Sequence, residues 1–236
     1  SFISEDVRIP LVSATGSTKM GKSVAQKVGS RLGKSLLELG GNNAIIVTPN
    51  ADIKITTIGI AFGSIGTCGQ RCTSTRRVIV HEKIYEKIRK ALKIAYSQVR
   101  IGNPLDSNNH MGPLIDKEAV KNYLDALLEI QKQGGKFLIE GGLLKGNEYK
   151  NDLYVKPCIA EIDHNAPIVF KETFAPILYL LKYSGSLEKA IKIQNEVSQG
   201  LSSSIMTKDF REAQIFLSHW GSDCGIANVN IGTSGA

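Results

Sequence analysis

The chain is poor in long apolar runs, cysteines and signal-like features, and each shortage excludes a class of protein. The 236 residues contain no uncharged apolar run of about 18 residues, so we expect no membrane-spanning helix. The four cysteines are too sparse and irregularly spaced for a disulfide framework, which is typical of a reducing, cytoplasmic compartment. The first residues lack the basic and apolar regions of a signal peptide, and the chain begins without methionine.

The sequence gives little support for a bound metal ion or for nucleic acid or a membrane as a partner. Cys68 and Cys72 form a CxxxC pair without a His or Cys partner at zinc-ligand spacing, so no metal site is expected. The formal charge of +7 comes from lysines that interleave with glutamates at helical spacing, as in residues 82–93. No basic patch contains interleaved aromatic residues, so we interpret the charge as solvated helix faces and expect neither nucleic acid nor membrane as a partner.

Apolar strand-like segments alternate with helix-like segments along the whole sequence. This alternation predicts an α/β fold, with a mostly parallel sheet and helices on both of its faces. With 42% hydrophobic residues the chain can bury a substantial core. The helix predicted at 52–65 is so rich in isoleucine that we expect it to be largely buried.

The first strand-like segment, 9–14, runs into Thr15-Gly16-Ser17-Thr18, and a helix is predicted at 19–32. A strand, a small-residue turn and a helix aim backbone N–H groups at an anion. The segment from Gly16 to Gly21 matches neither a P-loop nor GxGxxG, however. By itself it favours an ordinary helix cap made by Ser17 or Thr18.

Two residues are candidates for catalysis. Cys72 lies in a glycine- and hydroxyl-rich turn between a predicted helix and a strand, where a thiol can be held rigidly and stay accessible. Taken alone, a free cysteine is more often a small buried hydrophobe. Glu38 ends an apolar strand, where a carboxylate is costly unless it forms an ion pair or has a pKa raised for general-base catalysis.

Three motifs occur in one order along the chain: Glu38-Leu39-Gly40-Gly41, Gly69-Gln70-Arg71-Cys72 and Lys171-Glu172-Thr173-Phe174-Ala175-Pro176. This set, with its spacing, resembles the aldehyde dehydrogenase superfamily over the whole length of the chain. The sequence around these motifs, together with segments 200–205 and 228–236, looks like the antiquitin branch. That branch oxidises α-aminoadipic semialdehyde and related aldehydes.

The resemblance implies roles for both candidates. Cys72 would add as a thiolate to the aldehyde carbonyl, and its backbone N–H would be one donor to the resulting oxyanion. Hydride would leave for NAD, and Glu38 would deprotonate the water that hydrolyses the thioester.

The resemblance also implies binding residues. NAD would contact Gly16, Ser17 and Gly21 at its pyrophosphate, Glu172 at the nicotinamide ribose, Phe174 at the nicotinamide, and Leu39 and Gly40. The polar end of the substrate would contact Arg71, Thr73, Gly232, Thr233, Ser234, Gly235 and Ala236. Among these, the planar guanidinium of Arg71 suits a carboxylate. A surface carboxylate at Glu172 and a scaffold salt bridge at Arg71 are the structural alternatives. Gly232 stands where the branch usually has proline, which would loosen this loop.

Members of the family are about twice as long as this chain. We therefore predict an incomplete, poorly active catalytic-domain fragment of a protein that is a homo-oligomer at full length. Residues 1–39 would be the end of an NAD-binding domain and 40–228 the catalytic domain. Residues 229–236 would begin a truncated substrate-loop and oligomerisation region. Two alternatives stay open: a non-catalytic folded fragment or assembly domain, and a Cys–His thioester or ester hydrolase that uses His81, His110, His164 or His219.

Overall fold

The structure, a computed structural model, describes residues 2–234, with the side chain of Lys150 excepted. The chain divides into two compact units, one within residues 1–40 and one within residues 41–236. We describe each unit by itself. No helix among residues 2–234 combines the length and the apolarity that crossing a bilayer requires.

The first unit is a strand–helix–strand segment with a short helix before it. Its elements are α1 (Phe2–Glu5), β1 (Leu11–Thr15), α2 (Thr18–Ser30) and β2 (Lys34–Glu38). The strands β1 and β2 pair in parallel, with Leu11 opposite Lys34 and Thr15 opposite Glu38. Parallel neighbours need a crossover connection, and α2 provides it.

The second unit contains a seven-stranded sheet and a separate two-stranded sheet. Its strands are β3 (Asn43–Val47), β4 (Thr75–His81), β5 (Lys136–Ile139), β6 (Gly142–Leu143), β7 (Val155–Lys156), β8 (Cys158–Glu161), β9 (Ile177–Tyr183), β10 (Ser202–Met206) and β11 (Ile226–Val229). Its α-helices are α3 (Ile53–Ile65), α4 (Glu82–Ser97), α5 (Lys117–Lys132), α6 (Leu187–Asn195) and α7 (Phe210–Leu217). Short 3-10 helices span Gly66–Gly69, Lys150–Asp152 and Pro167–Phe170.

The large sheet has the strand order β11-β10-β3-β4-β9-β8-β5, while β6 and β7 pair apart from it. Within the large sheet, all neighbours are parallel except β5 and β8, which pair antiparallel. The predicted α/β fold with a mostly parallel sheet is therefore confirmed.

The central strands are buried on both sides. Every residue of β3, β4 and β10 is buried, and successive residues of a strand face opposite sides of a sheet. Continuous apolar runs such as Ile45-Ile46-Val47 and Val78-Ile79-Val80 suit that position, because both faces of a parallel sheet are covered.

The prediction that the helix at 52–65 is largely buried is wrong for one side of α3. Ile55, Ile58 and Phe62 are 49%, 60% and 58% exposed, whereas Thr56 and Ile60 are fully buried. A helix that is apolar on all sides has no hydrophobic period, so its sequence does not indicate which face is covered.

Candidate active site

The loop that carries Cys72 begins with a left-handed turn. Thr67, Cys68 and Gly69 have φ values of 55°, 56° and 66°, directly after the end of α3. A Cβ atom on Gly69 would lie 2.4 Å from the Ala175 carbonyl oxygen, so glycine is required there for its size as well as for its backbone angles. The turn sends the chain through Cys72 into β4.

The four cysteines have different surroundings, and none of them forms a disulfide. Cys68 and Cys158 are buried, and burial raises the pKa of each thiol to about 12. Burial also raises the pKa of Cys224, which is partly exposed. Cys72 is half-buried in its loop. Because the thiolate is the reactive form, the two buried thiols are poor nucleophiles, and Cys72 is the best candidate.

The main chain around Cys72 is fixed by Asn43 at the start of β3. The Asn43 side-chain amide donates to the carbonyl oxygens of Cys72, at 2.7 Å, and Ser74, at 2.8 Å. Its Oδ1 accepts from the Ser202 N–H at 3.1 Å, which ties the loop to β10. The Cys72 N–H makes no hydrogen bond within residues 2–234, so it is available to an incoming oxyanion.

The C-terminal loop lies against the residue after Cys72. The hydroxyls of Thr233 and Ser234 donate to the Thr73 carbonyl oxygen at 2.8 Å and 2.9 Å. Thr233 also hydrogen-bonds the Thr75 hydroxyl at 2.7 Å. The structure therefore brings together three of the residues predicted to contact substrate. Gly235 and Ala236, predicted with them, lie outside the described residues.

Gly232, which the sequence predicts to loosen this loop, is closely packed in the structure. It is buried, its carbonyl oxygen accepts from the Asn228 side chain at 3.0 Å, and it lies against α3. A Cβ atom on Gly232 would be 2.8 Å from the Gly59 carbonyl oxygen. The missing side chain lets the loop approach the helix backbone closely.

Arg76, the second residue of β4, holds the other side of the Cys72 loop. Its buried guanidinium donates to five nearby backbone carbonyls, those of Gly41, Gly69, Arg71, Thr173 and Ala175, at distances of 2.8–3.5 Å. Burial lowers the pKa of Arg76. The nearby Glu172 carboxylate, chiefly, and Cys72 act in the opposite direction and raise it. Sequence reasoning missed Arg76, although two adjacent arginines at the start of an apolar strand were a usable signal.

Glu172 and Phe174 both contact this guanidinium. Glu172 Oε1 accepts from the Gly41 N–H at 3.1 Å and pairs with Arg76 Nη2 at 3.3 Å. Its side chain is 17% exposed, so the alternative of a surface carboxylate is wrong. Its Oε2 makes no hydrogen bond in the part of the chain that the structure describes. The Phe174 ring is 45% exposed and lies 5.2 Å from the Arg76 guanidinium carbon.

Arg71 points to the surface. Its Nε–H donates to the Thr67 hydroxyl at 2.7 Å, and its guanidinium carbon lies 5.8 Å from the centre of the Phe62 ring. No acidic side chain pairs with it within residues 2–234, contrary to the scaffold salt bridge considered above.

The first unit carries the predicted pyrophosphate residues at the start of α2. Ser17 caps the helix by accepting from the Met20 N–H at 3.2 Å, and Gly21 packs against Leu39, whose Cδ2 would be 2.5 Å from an added Cβ. The N–H groups of Thr18 and Lys19 make no hydrogen bond in the described chain, and the first turn has no acidic residue. An exposed helix start of this kind suits a phosphate group.

Glu38 is exposed, which corrects the expectation of a carboxylate in apolar surroundings. Leu36 is 56% exposed in the same strand, so β2 is not the buried strand that its composition predicted. The Glu38 carbonyl oxygen accepts from the Gly16 N–H at 3.0 Å. Gly40, predicted to bind the cofactor, is half-buried after β2.

The four histidines are engaged away from Cys72. His81 caps α4 by accepting from the Lys83 N–H, and the other three neighbour Arg100, Glu196 and Trp220. No hydrogen bond joins a histidine to Cys72 among residues 2–234. The same residues contain no group of three or more potential metal ligands.

The model of the aldehyde dehydrogenase family matches residues 1–236, and the chain belongs to that family. A putative aldehyde dehydrogenase family 7 member A1 homolog of Caenorhabditis elegans is 50% identical over 235 residues, covering 98% of this chain and 43% of the relative. The alpha-aminoadipic semialdehyde dehydrogenase of Rattus norvegicus is 49% identical over 237 residues, covering 99% and 43%. The chain thus spans less than half the length of these relatives.

Solved structures agree with these relatives. Betaine aldehyde dehydrogenase from Staphylococcus aureus, in complex with NAD⁺, superposes with a TM-score of 0.92 at 25% identity, covering 97% of this chain and 45% of that one. Gamma-glutamyl-gamma-aminobutyraldehyde dehydrogenase from Burkholderia cenocepacia gives 0.91 at 26% identity, covering 99% and 47%. The predicted family is confirmed. One of these relatives, the alpha-aminoadipic semialdehyde dehydrogenase, is named for the activity of the predicted branch.

Proposed function

We propose that this chain carries the nucleophile of an enzyme that oxidises an aldehyde to a carboxylic acid. The observation that supports it is the contrast among the cysteines. Cys72 is half-buried on a loop held by Asn43 and Arg76, while Cys68 and Cys158 are buried with pKa values near 12.

The first step is addition of the Cys72 thiolate to the aldehyde carbon. A C–S bond forms, and the carbonyl π electrons move to oxygen as a thiohemiacetal oxyanion. The unpaired Cys72 N–H donates to that oxygen, and the Arg76 charge lies within electrostatic range of the loop. Removing one such donor typically costs on the order of 100- to 1,000-fold in rate.

The second half of the reaction releases the acid. NAD, when bound, supplies the acceptor for the hydride that leaves the thiohemiacetal carbon. Glu38 takes a proton from the water that attacks the resulting thioester, the C–S bond breaks, and the Cys72 thiolate is regenerated. The support for Glu38 is its motif and its exposed carboxylate, which solvent can reach.

The residues present fit the cofactor. Gly16, Ser17 and Gly21 would hold the pyrophosphate at the open start of α2, next to Leu39 and Gly40 in the sequence-defined site. The unpaired Glu172 Oε2 would accept hydrogen bonds from ribose hydroxyls, and the exposed Phe174 ring would contact the nicotinamide.

The substrate class that fits is an aldehyde with a carboxylate at its far end, such as α-aminoadipic semialdehyde. Arg71 directly precedes the nucleophile, and its Nη groups make no hydrogen bond within residues 2–234. The hydroxyls of Thr233 and Ser234, in the loop that contains Gly232, contact Thr73, the residue after Cys72. Free cysteines agree with a reducing, cytoplasm-like compartment, and a homo-oligomer of the full-length protein follows from the family resemblance.

Incubation with NAD⁺ and a carboxylate-bearing aldehyde tests the proposal. Because the chain spans less than half the length of its relatives, we expect slow turnover: the unmodified chain and Cys224→Ser should form NADH slowly, and Cys72→Ser should form none. Glu38→Gln is expected to accumulate an acyl group on Cys72, detected as added mass on its peptide. A folded chain that neither forms NADH nor labels first at Cys72 with iodoacetamide would instead be a non-catalytic domain.

A further inference from the structure

Thr67 has a backbone conformation that its residue type disfavours. Its φ and ψ are 55° and 30°, in the left-handed region, and a β-branched residue there is a genuine outlier. Glycine would occupy that position without penalty, and the neighbouring Gly69 does so. The exposed threonine side chain packs into no core that would explain its presence.

The Thr67 side chain does have one specific contact. Its hydroxyl oxygen accepts from Arg71 Nε–H at 2.7 Å, and its carbonyl oxygen accepts from the Gln70 N–H at 3.1 Å. Gln70 fixes the turn further by donating to the Pro113 carbonyl and accepting from the Ile115 N–H. The strained turn is thereby held with its hydroxyl aimed at Arg71.

Arg71 is restrained at both its backbone and its side chain. Its N–H donates to Ser74 Oγ at 3.1 Å, and its carbonyl oxygen accepts from Arg76 Nη2 at 3.3 Å. The guanidinium is held by Thr67 at Nε and by the Phe62 ring beneath it. Both Nη groups make no hydrogen bond within residues 2–234, and they form the fork that binds a carboxylate in a bidentate way.

We infer that Thr67 is a positioning residue for substrate recognition. Its hydroxyl, together with the Phe62 ring beneath the guanidinium, holds Arg71 so that the free edge of the guanidinium faces the carboxylate of the substrate. This inference rests on the proposed function, because Arg71 is useful in this way only if Cys72 is the nucleophile. Preorganising the side chain reduces the rotamer entropy that carboxylate binding would otherwise cost.

Alkylation of Cys72 by two reagents tests the inference on the whole chain without cofactor. Iodoacetate carries a carboxylate, and iodoacetamide is its neutral counterpart. The ratio of their rates at Cys72 measures how well a cation guides the carboxylate, and a general disturbance of the loop changes both rates together. We expect Arg71→Gln to lower this ratio by roughly two- to fivefold, the range for exposed charge pairs.

Substitutions at Thr67 separate the hydroxyl from the backbone. Thr67→Val keeps the shape and lacks the hydroxyl, so its ratio is expected to fall towards that of Arg71→Gln. Thr67→Ser keeps the hydroxyl and is expected to retain the ratio of the unmodified chain. Thr67→Gly is expected to lower the ratio and raise the thermal midpoint of unfolding, because it relieves the backbone strain.

The outcomes distinguish this inference from the proposed function. An unchanged ratio in Thr67→Val, or an equal loss in Thr67→Ser, would overturn the positioning role and leave the nucleophile intact. An unchanged ratio in Arg71→Gln would overturn it as well. Slower iodoacetamide labelling at Cys72 than at Cys224 would remove the proposed function itself.

Discussion

Arg71 and Arg76 lie five positions apart on either side of the Cys72 loop and have opposite surroundings. Arg76 is buried, pairs with Glu172 and saturates its nitrogens with backbone carbonyls. Arg71 is exposed, and within residues 2–234 its guanidinium donates only from Nε, to the Thr67 hydroxyl. An arginine whose donors are all occupied can only hold the scaffold, whereas one with a free fork can bind a ligand. We call these sides of the loop the Arg76 side and the Arg71 side.

The largest expected difference between the Arg76 side and the Arg71 side is in the free energy of unfolding that each arginine contributes. Arg76→Met leaves the Glu172 carboxylate without its cationic partner and several carbonyls without a donor, and breaking a buried ion pair in this way costs roughly 3–5 kcal/mol. Arg71→Met removes two exposed contacts, those with Thr67 and the Phe62 ring, and should change stability by no more than about 0.5 kcal/mol. Urea denaturation of both variants measures the two free energies of unfolding. Equal losses would contradict the assignment of separate roles.

Gly69, in the left-handed turn, and Gly66, just before it, give the next largest contrast. Gly69→Ala places a Cβ against the Ala175 carbonyl at a positive φ, and the conformational cost alone is about 1–2 kcal/mol. Gly66→Ala is the matched control, because no atom lies within 4 Å of its Cβ position and its φ is −50°. The thermal midpoints should fall for the first variant only. A similar midpoint for both would mean that the turn relaxes freely.

The pH dependence of stability should report the burial of Cys68, the first of the two thiols in the loop. Burial raises the Cys68 pKa from 9.0 to about 12, so the folded chain retains a proton that the unfolded chain loses in this window. Stability from this group is present below pH 9.0 and is lost as pH rises towards 12, by up to about 1.4 kcal/mol per pH unit. Cys68→Ala should flatten the decline relative to the unmodified chain. An unchanged slope in this variant would argue against the burial of Cys68.

The smallest expected effect lies where the C-terminal loop meets Thr73. Ser234→Ala removes one of two hydroxyl donors to the Thr73 carbonyl, and Thr233 still satisfies that oxygen. We expect a loss of about 0.5 kcal/mol, the low end of the range for a hydrogen bond. Thr233→Val removes two contacts, one of them buried, and should cost more. Reversal of this order in denaturant titrations would contradict the geometry.

The periodicity and composition of the sequence predicted the parallel arrangement of the strands, but they did not predict which helix and strand faces are exposed. The alternation of apolar strands with helices predicted the parallel arrangement, because each strand carries its own local pattern. The exposed side of α3 was not predictable, since isoleucines occur on all of its faces. The exposure of Glu38 was not predictable for a related reason: the β2 sequence is apolar, yet β2 pairs with one strand within residues 2–234, and both Leu36 and Glu38 are exposed.

The candidate site could be predicted only where a motif carries the proposed chemistry. Cys72, Glu172 and Arg71 were proposed because their neighbours in sequence resemble those of a family. Asn43, Arg76 and Thr67 were not proposed, because each contacts residues that are distant in sequence or has an unusual backbone angle. A positive φ at a threonine has no signature in the residue letters themselves.

The contact between Gly59 and Gly232 limits how freely this chain can be redesigned. Transplanting the proline that the antiquitin branch usually carries at position 232 would drive ring atoms into the Gly59 carbonyl and lift the loop from α3. Thr233 and Ser234 would move with it and release their hold on Thr73. An engineer who wants a stiffer C-terminal loop must therefore rebuild the helix surface and the loop as one unit.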